Sequence, residues 1–292
     1  MNRQSGNKTG DLLYHYYQKR NASFLLNIYT AGITAKENDI HKARVDLKKI
    51  FALFDFFKMI GFDTFKIEVP QKVFNDVFKS AGEIREIQMN LLYIQNLGEN
   101  DPALKLFSRY LKNNSKKRTR LFIQSIINFD EKRLTKIRGS IKKNCRDLDI
   151  EKIIHKCDDF FQMHSTKIKK YRLKSDETEN IHKIRKEMKK ISAIAGLLNL
   201  LRVDEFMENL TEALNQAELL IGEWHDRIVL NKSLDHFIKL NENKQEKILD
   251  TLERVKQVVD KEKEDLLNKL LPEADKVVIL IAQIPFLRKL CS

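Results

Sequence analysis

The stretch IHKARVDLKKI, residues 40–50, returns as IHKIRKEMKKI at residues 181–191, and this repetition restricts the possible folds more than any other feature of the chain. In each copy apolar residues recur three and four positions apart, the period of an amphipathic helix and not of a strand. Ile40, Ala43, Leu47, Ile50 and Phe54 share one face of the first copy, and Ile181, Ile184, Met188, Ile191 and Ala195 share that face in the second. A second pair of landmarks follows in the same order, AGEIRE at 81–86 and IGEWHD at 221–226. The two pairs are offset by 141 and 140 residues, which points to a duplicated unit rather than to the chance likeness of two basic helices.

The remaining sequence reads as more helix. With 9 Gly and 4 Pro in 292 residues, there are few of the breaks that separate short strands. Apolar periodicity predicts helices near 9–31, 36–60, 70–97, 101–127 and 130–146, then near 149–173, 177–201, 204–239 and 242–271, with a C-terminal piece after Pro272. GFDTFKIEVP and KLNENKQ are the clearest interruptions. The expected fold is therefore all-α: one domain of two tandem four-helix bundles, 9–127 and 149–292, joined by a basic helix at 128–148. In each bundle the repeated motif falls on the second helix.

Three cysteines, Cys145, Cys157 and Cys291, form no CxxC pair, so neither a disulfide framework nor a structural zinc site is expected. The N-terminus lacks the apolar core of a signal peptide, and VVILIAQIPFL is shorter than the roughly 20 residues of a membrane span. These features lead us to expect a soluble cytoplasmic protein. Its formal charge is +13, from 54 basic and 41 acidic side chains, which favours a polyanionic partner. Between Lys105 and Arg146, fourteen Lys or Arg stand against Asp130 and Glu131, a balance of +12 that concentrates the excess there.

On the repeated helix, His41, Arg44 and Lys48 fall within a band of about 60°, as do His182, Arg185 and Lys189. No carboxylate lies within either stripe. A third face carries Lys42, Asp46 and Lys49, matched by Lys183, Glu187 and Lys190, where opposite charges three or four residues apart offset each other as on a solvated surface. A lone stripe of cations ordinarily pairs with acids of a neighbouring helix. Repetition argues otherwise, because packing explains the repeated apolar positions but does not require His, Arg and Lys beside them. An extended anion does: Arg offers a planar fork to phosphate oxygens, Lys a mobile charge, and His a donor that charges once an anion raises its pKa. Arg85, followed by Glu86, adds a further cation, with His225 and Asp226 in the second copy. Arg109, Lys112, Lys116 and Arg120 form one more basic ridge, on the fourth helix.

These residues resemble the CHAD family, the conserved-histidine α-helical domain, whose hallmark is a helix beginning H-x-x-R with basic residues seven and eight positions after the histidine. His41, Arg44, Lys48, Lys49 and His182, Arg185, Lys189, Lys190 both satisfy it. A second family element, G-x-x-R-D, is approximated by Gly82, Arg85, Glu86 and by Gly222, His225, Asp226, with Glu86 in place of the usual Asp and His225 in place of the usual Arg. The resemblance spans nearly the whole chain. It implies a pseudo-twofold pair of bundles whose basic residues line a central channel or groove that binds inorganic polyphosphate, without a cofactor and in association with polyphosphate granules.

Catalysis is not expected. CHAD domains often accompany a triphosphate-hydrolysing CYTH domain, but this sequence has no E-x-E-x-K strand, Walker-type loop or clustered carboxylates for magnesium. Metal binding by His41 and His182 is a weaker alternative, since neither helix offers a second ligand at i+4 and the neighbouring cations would repel a metal ion. Nucleic-acid binding is the other, supported by net charge but not by any reader motif or by aromatics interleaved with the stripes.

Overall fold

The computed structural model describes residues 3–62, 68–98, 101–146, 148–173, 178–200, 204–242 and 246–284. Among these residues there are nine helices and no strand: α1 (Arg3–Thr34), α2 (Glu37–Met59), α3 (Glu68–Leu97), α4 (Pro102–Ile127), α5 (Glu131–Cys145), α6 (Ile150–Arg172), α7 (Thr178–Leu198), α8 (Glu205–Lys239) and α9 (Glu246–Ala282). Local chemistry sets their ends. The carboxylates of Asp101, Asp130, Asp149 and Asp204 accept hydrogen bonds from backbone N–H groups of the first turns of α4, α5, α6 and α8. Gly61 and Gly98, at φ of 83° and 92°, close α2 and α3 in the left-handed region where a side chain would be strained. Residues 63–67 and 243–245, within the two expected interruptions, and Cys291 lie outside the described residues.

Two expected ends differ. α1 begins at Arg3 rather than near residue 9, because RQSGNKT contains no apolar residue from which a period could be read. Pro272 does not end the last helix; it lies inside α9, which continues to Ala282. A proline removes one N–H and crowds the preceding turn, but Leu270, Ala274, Val277 and Ile281 are buried on both sides of it. Gln162 of α6 also donates to the Ile281 carbonyl at 2.5 Å, and Arg172 pairs with Asp275 at 3.3 Å. Tertiary packing thus carries the helix through the proline.

The helices pack as hairpins, α1 with α2, α3 with α4, α6 with α7 and α8 with α9, while α1 also meets α4 and α6 also meets α9. Across the middle of the chain α2 packs on α7, α3 on α8 and α4 on α9, and α5 rests on α1 and α3. The apolar interior does not divide at residue 148. Its main cluster joins Tyr17, Phe54 and Phe57 to Phe160, Ile194 and Trp224, and the ring of Phe56 meets that of Phe160 edge-on at 5.7 Å. A smaller cluster of Ile94, Phe107, Leu234, Phe237 and Leu252 fills the far ends of the α3–α4 and α8–α9 hairpins. Each buried aromatic contributes about 1.5 to 3 kcal/mol, so much of the stabilisation comes from contacts that join early and late parts of the chain. No described helix is long and apolar enough to cross a membrane.

The third face of the repeated helix is not the solvated surface expected from its charge pattern. Asp46 and Glu187 are buried and turn to the preceding helix: Asp46 accepts from Ser23 at 2.6 Å and lies 3.8 Å from Arg20, while Glu187 bonds to His164. Burial favours these partners over flanking lysines because a carboxylate removed from water needs donors beside it. Both bonds span 23 residues of sequence, one joining α1 to α2 and the other α6 to α7. Cys145 and Cys157 are free and buried, and burial pushes the Cys145 thiol up to about 12.

Candidate anion-binding cavity

Packing of α2 on α7 brings the repeated stripes to one place, and α3 and α8 close its sides. The resulting cavity, of about 570 Å³, takes His41, Arg44 and Lys48 from α2 and Arg185 and Lys189 from α7. Arg85 and Glu86 of α3 and His225 and Asp226 of α8, the residues of the second landmark pair, stand across from them.

Cations crowd this space more than acids can offset. Burial first, then Lys189, Arg185 and Arg44, holds Lys48 well below the ordinary lysine value. Arg44 is drawn down to about 10 by burial, with Glu86 pulling the other way and Arg185 and Arg85 adding to the fall. Burial also lowers Arg185 and Lys189, although Asp226 and Glu218 oppose it. The direct partners are few: Glu37 takes Arg85 at the rim, and Glu218 reaches Lys189 at 3.5 Å. Nε of Arg185 and Nδ1 of His225 are buried with no hydrogen-bond partner among the described residues. Such a cluster of desolvated cations and unmet donors gains free energy from an anion that supplies the missing charge.

Gly82 explains how the first arginine is held. Arg44 crosses the α3 backbone there, donates to the Phe78 carbonyl at 2.7 Å and lies over the Phe78 ring at 4.7 Å. A Cβ at residue 82 would come within 2.6 Å of its Nη1, whereas one at Gly222, the counterpart in α8, meets nothing within 4 Å. Gly222→Ala is therefore expected to stabilise the protein by about 0.5 to 1 kcal/mol through helix propensity. Gly82→Ala should lose that gain because it pushes the guanidinium off its carbonyl. Thermal unfolding of the two variants side by side checks this, and an equal gain in both would mean that Arg44 is not held over Gly82.

His182 does not enter this cavity. It lines an adjoining one of about 340 Å³ with His225, His236, Tyr110 and Lys232. There its ring stands edge-on to Trp224 and to His225, both at 5.1 Å between centres. Burial and the charge of Arg185 lower the pKa of His182, while burial and then Arg85 lower that of His41. Of the remaining residues expected at the site, Lys49 lines neither cavity and lies within electrostatic reach of Arg20 and Asp46 on the α1 side. Lys190 bonds to Asp55 of α2 at 2.8 Å, a strut between the halves. Lys112, Lys116 and Arg120 are exposed on α4 and line neither cavity. Conversely, Glu218, Tyr110, Lys232 and His236 line the cavities without having been expected there.

A family model described as the CHAD domain matches residues 27–235, a span that contains both stripes and both glycine landmarks. The chain belongs to the CHAD family. It is similar to the crystal structure of the CHAD domain from the plant Ricinus communis, with a TM-score of 0.73 over 91% of each chain and 11% identity, a likeness of fold. No curated protein matches it. Within this CHAD domain the cavity walls come from all four helices that carry the two landmark pairs, α2, α3, α7 and α8.

Proposed function

We propose that the protein binds inorganic polyphosphate without transforming it, in the cavity where the two stripes meet. The observation that carries this reading is the convergence of Arg44 and Lys48 with Arg185 and Lys189 on one space in which burial lowers the pKa of all four and neighbouring cations further lower Arg44, Lys48 and Lys189. A polymer bearing a negative charge on every unit answers several of them at once. Among the described residues the larger cavity is lined by no Phe, Tyr or Trp on which a base could stack, which favours a ligand that is phosphate throughout over single-stranded nucleic acid.

We read the chain as two tandem four-helix bundles, α1–α4 and α6–α9, related by a pseudo-twofold axis. The pairing of α2 with α7, α3 with α8 and α4 with α9 supports this, since each helix meets the one five places later. The cavity then lies near that axis, where a linear chain is held from both sides. A cytoplasmic protein associated with polyphosphate granules is the setting this implies.

Affinity for long-chain polyphosphate is expected to fall steeply with added salt, in proportion to the number of phosphates neutralised and counterions released. Single-stranded RNA of matched total charge should compete poorly. Filter binding of labelled polyphosphate at several salt concentrations, with and without RNA, measures both. RNA that competes as well as polyphosphate would reduce the site to a generic basic surface.

A further inference from the structure

Two residues line both cavities: Glu86 of α3 and His225 of α8. The larger cavity gathers five Arg and Lys side chains, Arg44, Lys48, Arg85, Arg185 and Lys189, with the rings of His41 and His225, whereas the smaller has Lys232 as its one Arg or Lys beside three rings, His182, His225 and His236. A phosphate chain that outgrows the first space continues into the second only past this pair. We propose that Glu86 and His225 form a proton-dependent gate between the cavities, so that a short oligophosphate occupies the larger one alone while a long chain crosses and takes up protons at the gate. This rests on the polyphosphate reading above and adds to it a residue pair that sets chain-length and pH preference.

The surroundings of each group support the gate. Burial pushes His225 down to about 3, and it faces Arg185 and His182 of α7, Lys48 of α2 and Lys232 of its own helix. Its Nδ1 has no hydrogen-bond partner among the described residues. Partial burial pushes Glu86 up; Arg44 of α2 and Lys232 of α8 pull it down, and Glu83 of α3 and Asp226 of α8 push it up. Tyr110 of α4 and His236 of α8 stand in the smaller cavity beside them. In the free protein near neutrality the imidazole of His225 is therefore neutral, so the gate offers an anion no positive charge of its own. A phosphate seated between them favours the protonated form of both, so each pKa is higher in the bound state than in the free state. The affinity for a long chain should rise as pH falls through the bound-state values and level off below the free-state ones.

The test is titration calorimetry with tripolyphosphate and with long-chain polyphosphate, each in two buffers of different ionisation enthalpy, from about pH 7.5 to about pH 5.5. The long chain should take up more protons than tripolyphosphate. Glu86→Gln should tighten long-chain binding by about three- to fivefold near neutrality, and tripolyphosphate binding by clearly less, because only the long chain must pass the gate. His225→Arg, which places a permanent charge at the gate, should tighten the long chain and flatten its pH profile; it serves as a second, independent variant. Equal proton uptake by the two ligands, or equal tightening of both by Glu86→Gln, would overturn the gate while leaving the site intact. Failure of both ligands to bind the wild-type protein would instead overturn the reading of the site, and the gate with it.

Discussion

Lys48→Met is expected to make the free protein more stable and a poorer binder of polyphosphate at once. Methionine matches the length of the lysine stem and fits irregular space, so the change removes a charge without opening a cavity. That charge is desolvated and set against Lys189, Arg185 and Arg44, with Glu218 its weaker counterweight. Its removal should contribute about 1 kcal/mol or more, raising the unfolding midpoint by about 2 to 4 °C per kcal/mol for a chain of this size. The same change deletes a charge-assisted contact to phosphate, so affinity should fall by more than about tenfold. A pH series adds a second signature. The unfolded lysine, with its ordinary value of 10.5, binds a proton that the folded one sheds at lower pH. Stability of the wild-type protein should therefore rise with pH between those two values, and the methionine variant should lack that contribution. Calorimetric unfolding and binding on the same samples decide the matter. A variant that binds normally, or that is less stable, would show Lys48 to be a structural residue.

Arg44→Glu and Arg185→Glu should each weaken polyphosphate binding by more than about tenfold, because two stripes on one cavity hold a single chain at high effective concentration and losing either releases it. Lys42→Glu and Lys183→Glu reverse the same charge on the same two helices, away from the cavity, and should cost less than about threefold. Net charge is identical in all four variants, so only position differs. Arg44 also braces Phe78, so the thermal midpoint of Arg44→Glu must be compared with that of Arg185→Glu, since Nε of Arg185 makes no hydrogen bond among the described residues. Equal losses on both faces, in variants that remain folded, would assign binding to bulk charge.

The stripes were legible in the sequence because a helix turns by a fixed angle per residue, so His41, Arg44 and Lys48 could be placed on one face, and their repetition set them apart from ordinary surface charge. The glycine landmarks were legible for the same reason, although nothing in AGEIRE shows that Arg44 lies over Gly82. What failed depended on neighbours. Asp46 and Glu187 read as surface acids because their partners, Ser23 and His164, differ in type and lie on the preceding helix. Lys112, Lys116 and Arg120 form a real ridge, but charge density along a helix does not say whether its face borders a cavity or open water. Pro272 was read as a stop because local propensity favours one, and packing on both sides outweighs it.

The interior shared across residue 148 also has a meaning in time. Synthesis proceeds at about 5 to 20 residues per second, so Phe160 of α6, 104 positions behind Phe56 of α2, emerges roughly five to twenty seconds after it. Throughout that interval Phe56 has no Phe160 to cover it, and the nascent first half carries an aromatic surface that only the later half can hide. Such a chain completes its interior only when its later helices have been made.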